Sequence, residues 1–271
     1  MSHQRCRRYY YAVAVALTRE VSSALAVCEL THMARLPIDV DVARRQHAAY
    51  EQTLRDAGYR VERLPATYQI PDSVFIEDVA VVVDELAIVT RPGAESRRAE
   101  IPAVADALAR YRTVHAIEPP GTIDGGDVLT VGHRMFIGRS TRTNGAAIEQ
   151  MRRLLAPYGY VVCDVEVRGC LHLKSAVTAL ADDTLLVNPA WLDRGAFSDF
   201  ELLETDPGEA MAANALRLHD RIVYPSAFPR TAERLASRGL NLALIDASEL
   251  AKAEGALTCC SVLIEELTVD S

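Results

Sequence analysis

Long apolar runs are missing from this chain. No stretch of its 271 residues approaches the ~18 apolar residues that cross a bilayer, so no membrane span is expected. A basic excess is missing too. Lys and Arg number 29 against 37 Asp and Glu, for a net charge of −8, and no Lys/Arg stripe offers a nucleic-acid footprint. Pro/Gly/Ser-rich linkers and low-complexity tracts are absent, which argues for a single domain over residues 1–271. The six cysteines include no CxxC pair. With no secretion signal they read as reduced thiols of a cytoplasmic protein. Cys163, Cys170 and His172 lie close together, but in no zinc-binding spacing, so no metal is expected. The opening "MSHQRCRRYYYAVAVAL" is basic and then apolar, yet no small-residue cleavage site follows. "YYYAVAVAL" is therefore expected as a core strand.

What is present is a recurring order of hairpin, helix and strand. "VFIEDVAVVVDELAIVT" reads as two strands about a turn at Asp84 and Glu85, followed by the helix "AESRRAEIPAVADALARY" and the strand "TVHAIE". "DVLTVGHRMFIG" is a hairpin turning at Gly132 and His133. The helix "TNGAAIEQMRRLLAPYG", with Thr143 or Asn144 as N-cap, and the strand "YVVCDVEV" complete the second unit. The third runs from "KSAVTALADDTLLVN" through a short helix near 190–194 to "FELLET". The fourth is "NALRLHDRIVYP", "TAERLASRG" and "LNLALIDA". The last hairpin strand, "TCCSVLIEEL", has no partner after it. Its natural partner is "YYYAVAVAL", with "DVARRQHAAYEQTLRDAG" and "YRVERL" completing a fifth unit. The units begin near Val74, Asp127, Lys174, Asn214 and Thr258, 40 to 53 residues apart, a repeat spacing. A unit shared between the two termini implies a closed array, since an open one needs capping units.

Polar residues sit at matching places, at or just before each first hairpin strand. They are Asp72, Glu77 and Asp78 in unit one, Asp124 and Asp127 in unit two, His172 and Ser175 in unit three, and Cys259 in the fifth. Each has an ordinary reading alone: a turn aspartate, a structural histidine, a small buried thiol. Matched positions in a repeat make convergence on one cavity the better account. Thiol and imidazole supply a nucleophile and a proton carrier, and a carboxylate can orient the imidazole. The further carboxylates suit a cation, above all a guanidinium, whose planar fork of N–H donors they answer bidentately. Cys259 and Cys260 are expected on one strand, pointing to opposite faces.

With these residues in view, the chain resembles the dimethylarginine dimethylaminohydrolase family of the guanidine-modifying (amidinotransferase, or pentein) superfamily. "DVARRQHAAY", "SVFIEDVAVV", "TRPGAESRR", "DGGDVL", "RTN", "GCLHLKS" and "GALTCCSVLI" stand in family order over nearly the whole chain. The resemblance implies an α/β fold, a five-bladed α/β propeller of pseudo-symmetric ββαβ units closed by the N- and C-terminal strands. It implies Cys259 as nucleophile, His172 as acid and base, and Asp124 as its carboxylate partner. Glu77 and Asp78 would grip the guanidinium, Asp72 the α-amino end, and Arg97 and Arg142 the α-carboxylate. Leu30 would cover the site. Glu254 stands where close relatives have Asp. The implied reaction is hydrolysis of methylated arginine through a covalent thiouronium, with no cofactor and no resident metal, though zinc can inhibit by bridging Cys259 and His172. Arginine deimination or another guanidine hydrolysis is the alternative, followed by non-catalytic arginine binding. The expected partner is a small cationic guanidino compound; no membrane or nucleic acid is expected, and a homodimer is allowed.

Overall fold

A computed structural model of the protein describes residues 10–66 and 69–268. Cys6 and Tyr9, on which expectations fell, lie outside the described residues.

Among the described residues, fifteen strands form five three-stranded sheets, each built to one plan. In the first, β3 (Ala80–Val82) pairs antiparallel with β4 (Leu86–Val89), which pairs parallel with β5 (Thr113–Ala116). The second repeats this with β6 (Val128–Val131), β7 (Arg134–Arg139) and β8 (Val161–Glu166). The third uses β9 (Val177–Ala179), β10 (Thr184–Val187) and β11 (Glu201–Glu204). The fourth uses β12 (Leu216–Leu218), β13 (Arg221–Pro225) and β14 (Asn241–Ile245). The fifth joins the chain ends: β15 (Val262–Thr268) runs antiparallel to β1 (Tyr10–Arg19), and β1 parallel to β2 (Arg60–Leu64).

A parallel pair needs a crossover, and helices supply four of them. These are α1 (Val40–Asp56), α2 (Ile101–Leu108), α3 (Gly145–Leu155) and α5 (Pro229–Ser237). Asn144 caps α3 by accepting from the Ala147 N–H at 3.0 Å. The third unit crosses over through a single 3-10 turn, Arg194–Phe197, later than the helix expected near 190–194. Two further one-turn helices, α4 (Leu173–Ala176) and α6 (Ser248–Ala251), lie in connections.

The expected first strands begin too early in the sequence reading. "PDSV", "IEDV", "GGD" and "TCC" are 3-10 turns, and β3, β6 and β15 start only after them. A short buried apolar run such as Val74, Ile76 and Val79 fits a buried helical turn as well as a strand. Cys259 and Cys260 therefore sit on a 3-10 turn rather than on alternating faces of a strand.

Five apolar cores lie between sheets that follow one another in the chain. Ile88 and Ile137 share one, Phe136 and Leu185 the next, Leu186 and Ile222 the third, and Val223 and Ala16 the fourth. In the fifth, Leu17 and Ile264 of the last sheet meet Ala87 of the first. Alternation along β1 makes this work: Ala14 and Ala16 enter one core, Val15 and Leu17 the next, because neighbours on a strand face opposite ways.

Candidate active site

The turns before the first strands carry the polar residues into one cavity. Two glycines make the approach close enough. A Cβ on Gly125 would lie 1.9 Å from the Glu77 carbonyl oxygen, and one on Gly126 would lie 2.5 Å from His172 Nδ1 and 2.9 Å from Asp78 Oδ1. His172, at the start of α4, thus rests against the "DGGD" backbone. Its Nε2 is 3.0 Å from Asp124 Oδ2, and its Nδ1 is 3.8 Å from Asp78 Oδ1. Asp124 is fixed in turn by the Gly93 N–H, 2.8 Å from its Oδ1. Asp127 is fully buried and faces elsewhere: it accepts from Ser140 Oγ, Thr143 Oγ1 and the Leu173 N–H, and so pins the residue after His172.

The acids divide between two sides. Asp78 accepts from Arg97 Nη1 at 2.5 Å and from the Gly126 N–H at 3.2 Å. Arg97 also donates to Glu100 through Nε (2.7 Å) and Nη2 (3.0 Å), and to the Phe75 carbonyl at 2.9 Å. One of its five N–H donors is left over. Glu77 turns the other way. It binds Lys174 Nζ and accepts from Thr258 Oγ1 at 3.0 Å, and it lines a separate cavity of about 270 Å³ among the first strands of the sheets. Successive residues of a 3-10 turn point ~120° apart, so Glu77 and Asp78 take different partners.

Asp72, Asp78, Arg97, Asp124, Arg142, His172 and Cys259 line the active cavity together, with about 30 Å³ of space among them. Glu77 and Leu30 do not line it. Leu30 packs instead against the apolar core between the fourth and fifth sheets. Asp72 accepts the Glu29 N–H at 3.2 Å, and Arg142 Nη2 donates to Thr31 Oγ1 at 3.2 Å. Five lining residues had drawn no attention in the sequence: Glu29, Phe75, Leu171, Ala253 and Gly255. Gly255 carried a usable signal, since a Cβ there would lie 2.0 Å from the Phe75 ring.

The electrostatics follow from burial among acids. Burial opposes the His172 imidazolium, but Asp78, Asp124 and Asp127 outweigh it and lift His172 to about 9. Burial pushes the Cys259 thiol well above its ordinary range, and Glu77 and Asp78 push it further. Cys260, equally buried, is raised as well, and its Sγ lies 3.5 Å from the Ala256 carbonyl. Burial also raises Asp72 to about 6. Among the described residues, Asp78, Asp124 and His172 each offer a metal-ligating atom, all within 4.8 Å of one another. Cys259, expected to bridge zinc with His172, is not part of that group. Cys170 donates to the His172 carbonyl at 3.4 Å, and burial pushes its thiol up to about 12.

The architecture is an α/β fold shared with other solved proteins. An arginine dihydrolase domain (TM-score 0.85, 19% identity, 94% of this chain and 98% of that one) and an amidinotransferase from Microseira wollei (0.80, 18%, 98% of both) share the fold. At those identities the likeness speaks for the fold alone. Residues 36–196 match the family model described as N,N dimethylarginine dimethylhydrolase, eukaryotic. A dimethylarginine dimethylaminohydrolase of Streptomyces coelicolor is 41% identical over 93% of this chain and 97% of its own, and one of Pseudomonas aeruginosa is 35% identical over 83% and 89%. A solved dimethylarginine dimethylaminohydrolase, in its adduct with S-methyl-L-thiocitrulline, superimposes with a TM-score of 0.88 at 32% identity, covering 94% of this chain and all of that one. The chain belongs to the dimethylarginine dimethylaminohydrolase family. No helix among the described residues is long and apolar enough to cross a membrane.

Proposed function

We propose that the chain hydrolyses Nω-methylated arginine to citrulline and the corresponding methylamine through a covalent Cys259 intermediate. The observation that carries this is His172, gripped by Asp124 and faced by Asp78 in the cavity that Cys259 also lines. At neutral pH His172 is an imidazolium and Cys259 a neutral thiol. A bound guanidinium supplies the positive charge that favours the thiolate, and the thiol proton leaves to solvent. The Cys259 sulfur then adds to the guanidinium carbon. As the C–N bond breaks, His172 gives its proton to the departing amine. Water loses a proton to the now neutral His172 and attacks the thiouronium carbon. The C–S bond breaks as the hydroxyl proton passes to solvent, releasing citrulline and the thiolate.

Asp78 answers the guanidinium, Asp72 the α-amino group, and Arg142 the α-carboxylate, helped by the remaining Arg97 donor. Glu77, braced by Lys174, adds its charge beside Cys259. The apolar walls Phe75 and Leu171 favour a methylated nitrogen over the bare guanidinium of arginine. We further read the five sheets as blades of a closed α/β propeller. Its support is the order of the cores, the fifth of which joins the last sheet to the first. A cytoplasmic location is inferred from the free cysteines among the described residues, and a homodimer is allowed.

Incubation with asymmetric dimethylarginine, arginine and agmatine tests the reading. Citrulline and dimethylamine should appear fastest from dimethylarginine. Faster release of ammonia from arginine would make the chain a deiminase, and no turnover of any of them would leave arginine binding.

A further inference from the structure

Behind the wall formed by Glu254 and Gly255 lies another cavity, of about 210 Å³. Met33, Met211, Pro225, Phe228, Ala251 and Leu257 give it a carbon-rich lining. Two of the polar groups that border it are already partnered. Asn214 Nδ2 donates to the Lys174 carbonyl and to Thr258 Oγ1, both at 3.0 Å, and its Oδ1 accepts the Thr258 N–H at 3.2 Å. The Glu254 carboxylate accepts the N–H groups of Thr31 (2.9 Å), His32 (2.5 Å) and Met33 (2.6 Å). Ser248 Oγ accepts from Gln46 at 2.9 Å, so apart from the Ser175 hydroxyl the lining offers a guest carbon. An apolar cavity of ~150 Å³ stays dry and takes up benzene or xenon, so this one has room for a single substituted ring.

The cavity is wired to the active site through Glu254, which lines both. Glu254 holds a left-handed backbone, φ +57°, a strained state for a non-glycine residue that surrounding contacts must maintain. Two backbone bonds at the end of α6 set that conformation, the Glu254 N–H to the Ala251 carbonyl (3.1 Å) and the Gly255 N–H to the Leu250 carbonyl (3.2 Å), and it presents the carboxylate to the three loop amides. Met33 donates one of them and also lines the apolar cavity. The same loop, residues 28–37, reaches the substrate end of the active site: the Glu29 N–H sits on Asp72, and Thr31 Oγ1 receives Arg142. With the loop seated in this way the active cavity has about 30 Å³ of free space.

We propose that this cavity binds a small uncharged apolar molecule, and that its occupancy packs against Met33, holds the 28–37 loop down and slows substrate entry. The effect on turnover rests on the function proposed above; the binding and the effect on the loop do not. Xenon under pressure and toluene are the probes. Xenon should appear in crystals among Met33, Phe228 and Leu257. Toluene should slow exchange of the Thr31, His32 and Met33 amides about threefold or more, and lower kcat/KM for dimethylarginine by about the same factor. Met211→Asp, at an exposed rim position, should abolish both toluene effects while leaving activity without toluene within about twofold, as surface substitutions usually do.

Absence of xenon from the cavity, unchanged amide exchange, or equal toluene effects in Met211→Asp would overturn the proposal. Slowed exchange with unchanged kcat/KM in an active enzyme would overturn the regulatory half. Failure to hydrolyse dimethylarginine at all would sink the functional reading, while xenon and exchange would still decide the site. A dimer in solution that buries Met211 would assign the cavity to a second copy of the chain and overturn it too.

Discussion

Two adjacent thiols share burial and a 3-10 turn, yet only Cys259 lines the active cavity. Cys259→Ser should lose turnover, because a hydroxyl has no comparable anion at neutral pH, while still binding substrate by calorimetry. Cys260→Ala should keep most activity and cost ~1–2 kcal/mol in denaturant unfolding, as for a small buried side chain. An inactive but folded Cys260→Ala protein would move the nucleophile to the other sulfur. The pH profile belongs to this scale as well. Asp72, raised to about 6, is a carboxylate above that pH and neutral below it. His172, raised to about 9, is an acid below that pH and spent above it. The kcat/KM for dimethylarginine should therefore fall steeply below about 6 and level off above about 9, where the gain in thiolate offsets the loss of acid. A guanidino acid lacking the α-amino group should not show the steep fall below about 6. A steep fall for that compound too would take the amino contact away from Asp72.

At the scale of elements, short helical turns aim the chemistry. The turn Gly125–Asp127 brings its backbone against His172 and Asp78. Gly126→Ala puts a carbon where the imidazole lies, so His172 must move off Asp124. Loss of oriented acid–base catalysis typically costs ~10²–10⁴-fold. The expected outcome is a kcat drop in that range with a folded far-UV CD spectrum. Activity within a few-fold of the parent would mean that His172 is not held by this turn. The turn also sets the direction of two acids. Glu77 and Asp78 are neighbours in "IEDV" and read as a pair from the sequence. Helical geometry separates them, sending one to Lys174 and the other to Arg97.

The whole molecule depends on both chain ends meeting in one sheet. Val262 and Ile264 of β15 are buried with Val15, Leu17, Ile76 and Val89. Each such side chain is worth ~1.5–3 kcal/mol of burial, and β1 would lose its antiparallel partner. Truncation after Ser261 should therefore abolish cooperative thermal unfolding, although every catalytic residue remains in the chain. A sharp melt close to that of the parent would show that the first and last sheets do not need each other.

Much of this was written in local pattern. Hairpins, crossover helices and the shared terminal sheet follow from periodicity, because strand and helix faces repeat every 2 or 3.6 residues. Cys259, His172, Asp124 and Asp78 were legible because matched places in related units carried unlike chemical groups. Other features depended on the third dimension. A short apolar run does not say whether it is a strand or a buried turn, so the direction of Glu77 stayed hidden. Phe75 and Glu29 look like ordinary core and loop residues until the fold brings them to the cavity. The bond between Glu254 and a loop more than 200 residues away in sequence has no local signature at all. Side-chain direction on a turn, and contacts between distant segments, are set by packing, and only the tertiary structure decides them.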